Sequence, residues 1–400
     1  MPCSESIACV KSELSIFDPQ VFQTTMERGS WVDCQPIATL GGDGPIEFLV
    51  ASNSTDYVDV NETALYLKVR IKGPAQADLL AGAEVAFSNM ALASLFSDVS
   101  LSLGPYQLEG GRGTYPYRAM ITALIQNSTN VKKNQLLASG FVKDHAGDHD
   151  AVGNTGHVAR RAHTARSVSR EYFGPLHLDF FQQSKYLISN VDMRVRLMRA
   201  PKNFSLMVPI PAADAVPDYT IDIQEAVLYV RKVRVSPSVI AGHAEGLKTQ
   251  NAIYPIQRCE VISYMASQGS FSWVQGNMFQ GQMPKFLLFG QVLNSAFGGN
   301  VRQSPFNFQH FNISQIGLYR EGESTPFRPF KLNFGAGQFY REYMAMYQAL
   351  GMYNRDEEND ISPADFAGGT ALFAFNLAPD LELQGYAQPL REGNLKLELA

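Results

Sequence analysis

The chain is poor in cysteine, and its few cysteines form no recognisable pattern. Only Cys3, Cys9, Cys34 and Cys259 occur in 400 residues, and none of them has C-x-x-C spacing. Small secreted scaffolds held by disulfides have a much higher density of cysteine. The sequence therefore predicts free thiols in a reducing compartment.

Charged residues are also scarce. Asp, Glu, Lys and Arg make up 18% of the chain, whereas soluble domains contain about 25%. The formal net charge of -5 argues against a dominant nucleic-acid-binding role, because that role requires a basic face that neutralises phosphates. A low content of charge indicates that much of the surface is hidden, as it is between subunits.

Long apolar runs are absent. No stretch offers about 18 uninterrupted apolar residues, and the first 17 residues lack a basic start followed by an apolar run. We therefore expect neither a membrane span nor a standard secretion signal. A length of 400 residues exceeds the size at which one hydrophobic core stops growing, which favours two domains of about 200 residues each.

Strict alternation of apolar and polar residues is the clearest local pattern that is present. It occurs in LYLKVRIK (65–72), NVDMRVRLMR (190–199) and NLKLELA (394–400), and it is typical of strands with one buried face. Helical periodicity occurs only at 114–126 and 337–351, where Gly351 is expected to end the second helix. The composition predicts an all-β protein.

Several segments occur twice in the same order. The matching pairs are FSDVSL (96–101) with ISQIGL (313–318), MRVRL (193–197) with LKLEL (395–399), LYLKVRIKGP (65–74) with LYVRKVRVSP (228–237), and Tyr117-Arg118 with Tyr340-Arg341. Short alternating strands resemble one another by chance, but four ordered pairs favour an internal duplication. We expect two tandem eight-stranded jelly-roll β-sandwiches with short inserted helices. The predicted domains are an arm (1–30), a first jelly-roll (31–212) and a second jelly-roll (213–400).

An ordered set of segments, from about residue 12 to the end, resembles a known family. The set includes SIFDPQVFQTTMERGSWVDCQPIATLGGDGPIEFLV, GTYPYRAMITALI, FGPLHLDFF, AVLYVRKVRVSPSV, FQGQMPKFLLFGQV, SPFNFQHFNISQIGLY, REYMAMYQALG, TALFAFNLAPDL and EGNLKLEL. Together they resemble the double jelly-roll major capsid protein of Polinton/Maverick elements and related adintoviruses.

The resemblance implies a structural role without enzymatic activity or a cofactor. It implies homotrimers that form pseudo-hexagonal capsomers, and capsomers that tile an icosahedral virion shell. The implied partners are other copies of the chain, a single jelly-roll penton or minor capsid protein and, indirectly, packaged double-stranded DNA. It also implies synthesis in the host cytoplasm and assembly in the nucleus.

Five residues are candidates for assembly contacts. Phe17, Phe22 and Trp31 are isolated apolar anchors in or next to the predicted arm, for which a flexible terminus is the alternative. Arg160 and Arg161 belong to the most basic patch of the chain, for which a solvated loop is the alternative.

The segment KDHAGDHDAVGNTGHVARRAH (143–163) contains four of the seven histidines, yet metal binding is disfavoured. His-x-His does not occur, and Gly147 opposes a helix that would bring His145 and His149 to one face. We expect a surface loop without metal. The acidic run RDEEND (355–360) lacks calcium-loop spacing and is also expected to be a solvated loop, followed by a helix capped by Ser362.

We expect no catalytic residue. The competing hypothesis is a two-sandwich protein that binds carbohydrates or hydrolyses glycans, because jelly-rolls also serve in those roles. Such a protein requires exposed tryptophans and a close pair of carboxylates. The chain has only Trp31 and Trp273, and no paired acids stand out.

Overall fold

The computed structural model describes residues 12–14, 16–17, 22–211, 214–279, 282–381 and 389–400. The strands in these ranges are β1 (Met26–Cys34), β2 (Ile46–Val50), β3 (Asp56–Lys72), β4 (Ala86–Phe87), β5 (Phe96–Leu103), β6 (Tyr106–Glu109), β7 (Arg170–Pro175), β8 (Met193–Arg199), β9 (Leu206–Met207), β10 (Thr220–Val235), β11 (Trp273–Gln275), β12 (Phe286–Gly290), β13 (Gln315–Arg320), β14 (Glu323–Lys331), β15 (Leu372–Asn376) and β16 (Leu395–Leu399). Strands therefore occur along nearly the whole chain, as the composition predicts.

The helices are short and lie between the strands. They are α1 (Ala91–Ser94), α2 (Tyr115–Gln126), α3 (Thr129–Lys133), α4 (Thr155–Thr164), α5 (Lys202–Ser205), α6 (Pro237–Gly246), α7 (Asn294–Phe297), α8 (Tyr340–Ala349) and α9 (Pro363–Ala367). Helix α8 ends as predicted, because Gly351 follows its last turn with φ +75° and accepts the left-handed conformation at no steric cost.

The strands of the described residues form three four-stranded and two two-stranded antiparallel sheets. Sheet I has the order β1-β10-β3-β7, sheet II β2-β8-β5-β6, sheet III β11-β16-β13-β14 and sheet IV β12-β15, while β4 and β9 form a separate pair. We call β1 to β10 and their connections the first half, and the chain from β11 onward the second half.

Alternation decides which face of each strand is buried. In β3, Leu65, Leu67, Val69 and Ile71 are all fully buried, and the residues between them are partly exposed. The inward residues of β8 (Met193, Val195, Leu197) and β16 (Leu395, Leu397, Leu399) are buried in the same alternating way. All of them belong to one buried apolar cluster that extends through both halves, so burial of these faces is the main source of stability.

Sheets II and III have the same strand order and the same register, which confirms the internal duplication. Leu101 pairs with Val195 in sheet II, and Leu318 pairs with Leu397 in sheet III. The two offsets, 217 and 202 residues, are those of the predicted repeat pairs. Helix α2 follows β6 and α8 follows β14, so the two Tyr-Arg motifs are also equivalent.

One predicted repeat pair is wrong. The segments 65–74 and 228–237 are neighbours in one sheet, where Leu65 pairs with Leu228. The equivalent of β3 in the second half is instead β12, because β12 pairs with β15 as β3 pairs with β7. Strand β10 therefore completes sheet I although it follows the connector 208–219. The domain boundaries stay a prediction.

Candidate functional site

The two halves meet at a cluster of aromatic rings around Tyr117 of α2. Its ring stacks on Phe297 at 5.2 Å between centroids and contacts Phe306 and Phe308 edge-on, all from the second half. Phe204 of the first half closes the cluster at 6.0 Å from Tyr117. Edge-on and offset arrangements of this kind add to the gain from burial. Tyr117 of the first Tyr-Arg motif thus packs at the junction between the halves.

The histidine-rich segment 143–163 lies at the same junction, and the expectation of a surface loop is right only in part, because 11 of its 21 residues are exposed but residues 155–163 are helical. Residues 155–164 form α4, whose N-terminus is capped by the Asn154 side chain. Gly156 allows close packing, because a Cβ atom there would lie 2.4 Å from Oδ1 of Asp144. His157 is fully buried, and burial together with Arg160 lowers its pKa to about 4.

Residues 147–150 bind the second half directly. Asp150 accepts hydrogen bonds from the Ser304 backbone N–H at 2.6 Å and from the Asn307 side chain at 3.1 Å. The Gly147 N–H donates to the Gly368 carbonyl at 2.6 Å. This segment therefore forms a polar bridge between the halves, and Asp150 is the aspartate engaged in that bridge.

A buried lysine forms a second polar bridge. Lys132 of α3 is 3% exposed and donates to the carbonyl oxygens of Leu124, at 2.8 Å, and of Asn359 in the second half. Burial lowers its pKa to about 8. Lys143 lies close by and pairs with Asp365 at 2.9 Å and with Asp360 at 3.3 Å.

The acidic run 355–360 is only partly the solvated loop that we expected. Residues 355–358 are exposed, whereas Asn359 is buried and Asp360 is half-buried. Thr129 of α3 donates to Asp360 at 3.0 Å, and its N–H donates to Glu358 at 3.1 Å. The predicted cap is confirmed, since Ser362 and Asp365 form a capping box at the start of α9.

No metal centre is formed by the part of the chain that the structure describes. Within the described ranges, no group of three or more His, Cys, Asp or Glu side chains is arranged to hold an ion. His145 and Asp148 form a pair at 3.2 Å with both side chains largely exposed, which is not a ligand set.

Arg160 and Arg161 have different environments. Arg160 is 5% exposed and binds Asp144 at 2.9 Å and the Val142 carbonyl at 3.2 Å. Its charge is thus neutralised inside the subunit, and its role as an assembly contact stays a prediction. Arg161 is partly exposed and pairs with Glu84, and its role in assembly stays a prediction.

The three apolar candidates are exposed. Phe17 is 93% exposed, Phe22 75% and Trp31 54%. Trp31 lies on β1, the edge strand of sheet I. Large exposed aromatic side chains are typical of association surfaces, but the assembly roles of these residues stay predictions.

The outward face of sheet I is a candidate site that was not predicted from the sequence. On this face Tyr229 contacts Tyr66 at 6.4 Å and Phe173 at 6.1 Å between ring centroids, and Phe173 is 46% exposed. The registers place Trp31 on the same face. We call Trp31, Tyr66, Phe173 and Tyr229 the aromatic face. The alternation in 65–72 was the available signal, because it directs Tyr66 outward.

Comparisons with known proteins relate this architecture to viral capsids. No family model matches the chain. The uncharacterized protein F54H12.2 of Caenorhabditis elegans is 21% identical over 394 residues, covering 94% of this chain and 90% of the relative.

Three solved structures match nearly the whole chain. They are the Sputnik virophage structure (TM-score 0.61, 10% identity, 98% of this chain and 86% of that chain), PBCV-1 VP54 fitted into a Sputnik reconstruction (0.56, 13%, 96% and 86%) and the Faustovirus major capsid protein (0.52, 10%, 99% and 89%). The chain has the double jelly-roll fold. This confirms the expected fold class with its short inserted helices.

The double jelly-roll offers little support for glycan chemistry. The buried Asp179 and the half-buried Glu109 both pair with Arg118 of α2, so neither is a free acid or base of the kind that a hydrolase requires. Trp273 packs beside Tyr264 and is half-buried, so it is not the fully exposed tryptophan that a glycan-binding surface requires. The glycan alternative is therefore not favoured.

Among the described residues, no helix is long and apolar enough to span a bilayer.

Proposed function

We propose that the chain is the major capsid protein of an icosahedral viral shell. The observation that carries this proposal is the duplication of sheet II as sheet III, with the same strand order and register, in a fold shared with a Faustovirus major capsid protein. Fold alone does not determine function, but a duplicated sandwich has a specific geometric use in a shell.

Three copies of a duplicated chain present six similar sandwiches around one axis. A closed threefold ring therefore gives nearly sixfold packing, which suits the tiling of a shell. The proposed capsomer is a homotrimer with the aromatic face at a subunit contact. The low charge of 18% and the 25 Phe, 17 Tyr and 13 Met suit the large apolar contacts of obligate assemblies.

The proposed origin is a Polinton/Maverick element or a related adintovirus. The sequence segments from residue 12 onward support it. The proposed partners are further capsomers and a single jelly-roll penton or minor capsid protein. With a net charge of -5, contact with the packaged double-stranded DNA is indirect.

The proposed location is the virion, after synthesis in the cytoplasm and assembly in the nucleus. The role is structural and involves neither catalysis nor a cofactor.

Size-exclusion chromatography with light scattering tests the assembly. We expect purified protein to elute as trimers, and electron microscopy to show capsomers or closed shells at higher concentration. A stable monomer at all concentrations contradicts the proposal. Strong, specific binding on a glycan array would instead support the carbohydrate-binding alternative.

A further inference from the structure

Helix α4 contains a histidine whose surroundings favour its neutral form. His157 is fully buried, and neither of its ring nitrogens has a hydrogen-bond partner among the described residues. Buried polar groups are normally hydrogen-bonded, and a neutral imidazole without partners has a moderate cost. An imidazolium at the same place adds the much larger cost of a buried charge. The protonation of His157 is therefore coupled to the position of α4.

The charged groups around His157 do not offset a further positive charge. The charged residues of the elements that surround it are Asp144, Arg160, Arg161, Arg166 and Glu84. Asp144 is already paired with Arg160 at 2.9 Å, and Arg161 is paired with Glu84. Arg166 is exposed, and strand β4, which packs on α4, is apolar. A proton on His157 thus leaves one uncompensated positive charge inside the subunit.

Helix α4 supports the loop that joins the first half to the second. Its capping residue, Asn154, donates to the Asp148 carbonyl at 2.9 Å. Arg160 of the helix donates to the Val142 carbonyl at 3.2 Å. The hydrogen bonds from the first half to Gly368 and Asn307 come from the same loop, residues 142–150. The position of this loop therefore depends on α4.

The loop is packed tightly between α4 and the second half. On the side of α4, Gly156 lies so close to Asp144 that a Cβ atom has no room. On the other side, a Cβ atom at Gly369 would lie 2.3 Å from Cε1 of His149, so the imidazole of His149 lies against the backbone of the second half. Close packing of this kind transmits a displacement. Movement of α4 removes the support from one side of the loop.

We propose that α4 is an acid-released latch: protonation of His157 displaces the helix, and loop 142–150 then separates from the second half. The aromatic cluster around Tyr117 and the Lys132 bridge do not involve α4, so the opening is local. The latch lies within one subunit. It therefore goes beyond the proposed function and operates whether or not a shell forms.

The pH range follows from the two states of the helix. In the docked helix, burial and then Arg160 lower the pKa of His157 from 6.5 to about 4. In the displaced helix the side chain is in water, and its pKa returns to the ordinary value. Between these two values the displaced state binds a proton that the docked state does not bind. A fall in pH therefore favours displacement, and the docked state has its full stability only above about pH 6.5.

Hydrogen–deuterium exchange of the full chain, measured by mass spectrometry, tests the latch. The protection of α4 and of loop 142–150 is compared with that of β3 at pH 6.5, 5 and 3.5, after correction for the intrinsic exchange rates. With the two pKa values of His157, we expect the opening equilibrium of α4 to rise about a hundredfold between pH 6.5 and 3.5, while β3 stays protected. Retention of α4 protection at pH 3.5, or equal loss of protection in α4 and β3, overturns the proposal.

A variant without the titrating group assigns the response to His157. His157→Phe keeps a ring of similar size that cannot be protonated, and it is expected to keep α4 protected at pH 3.5. His157→Leu serves the same purpose if the phenylalanine prevents folding. The matched control is His163→Gln on the exposed side of the same helix, which is expected to respond to acid as the wild type does. Loss of α4 protection in the His157 variants to the wild-type extent shows that another group is responsible and overturns the latch.

Discussion

Replacement of Lys132, the buried lysine at the junction of the two halves, tests whether burial lowers its pKa. Burial lowers the pKa of Lys132 from 10.5 to about 8, and the charged groups around it are Asp360, Lys143, Asp365 and Glu358. Below pH 8 the lysine is protonated in both the folded and the unfolded chain, and the folded chain bears the full cost of the buried charge. Above pH 8 the folded chain releases the proton first, so stability rises with pH.

The size of the expected change in stability follows from the lowered pKa of Lys132. At 1.36 kcal/mol per pKa unit, the lowered pKa of Lys132 increases the free energy of unfolding by roughly 2 kcal/mol between pH 7.5 and pH 9.5. Lys132→Met removes this contribution. The substitution also leaves the carbonyl oxygens of Leu124 and Asn359 without their donor, at a cost of about 1–3 kcal/mol each that does not depend on pH.

The readout is therefore the difference between two pH profiles. The free energy of unfolding in urea is measured for wild type and Lys132→Met at pH 7.5, 8.5 and 9.5. The difference between the two proteins at each pH removes the contribution from the titration of all other groups. We expect the wild type to gain about 2 kcal/mol relative to the variant over this range. Lys133→Met, at the exposed neighbouring position, is expected to give the wild-type profile. Parallel profiles for wild type and Lys132→Met would refute the buried, pKa-shifted lysine.

Three further predictions concern other contacts. Arg160→Met is expected to destabilise the chain by about 3–5 kcal/mol in chemical unfolding, because Asp144 is left as a buried charge. Arg161→Met is expected to lower the stability by less than about 1 kcal/mol. Equal effects of the two substitutions would contradict the different environments of Arg160 and Arg161. Asp150→Ala removes a bridge between the halves and is expected to increase cleavage between them in limited proteolysis, and an unchanged cleavage rate would argue against the bridge. Phe173→Asp is expected to leave the melting temperature within a few degrees of wild type while shifting light scattering from trimer to monomer, and retention of the trimer would exclude the aromatic face as a contact.

Much of the fold could be predicted because strand alternation is a local property. The inward residues of β3, β8 and β16 follow directly from a side-chain period of two, and the offsets of 217 and 202 residues reflect equivalent positions in two similar sheets. The capped helix after Ser362 was predictable for the same reason, since its capping box spans four consecutive residues.

The charged positions were harder to interpret, because sequence reveals a charge but not its partner. Arg160 belongs to a basic cluster that is typical of an exposed surface, yet it is buried against Asp144, which is 16 residues earlier in the chain. Asp150 belongs to a segment rich in metal-ligand types, yet its partners lie in the other half. Burial of a charge depends on a distant partner that compensates for lost hydration.

Residues a few positions apart were sufficient to predict the all-β class and the buried faces of β3, β8 and β16, and the recurrence of such local patterns at offsets of 217 and 202 residues was sufficient to predict the duplication. The folded chain was needed to show that β10 pairs with β3 and that the histidine-rich segment joins the two halves. Strand pairing brings together residues that are far apart in sequence, and backbone hydrogen bonds carry little information about which strand is the partner. Packing of the whole chain makes that choice.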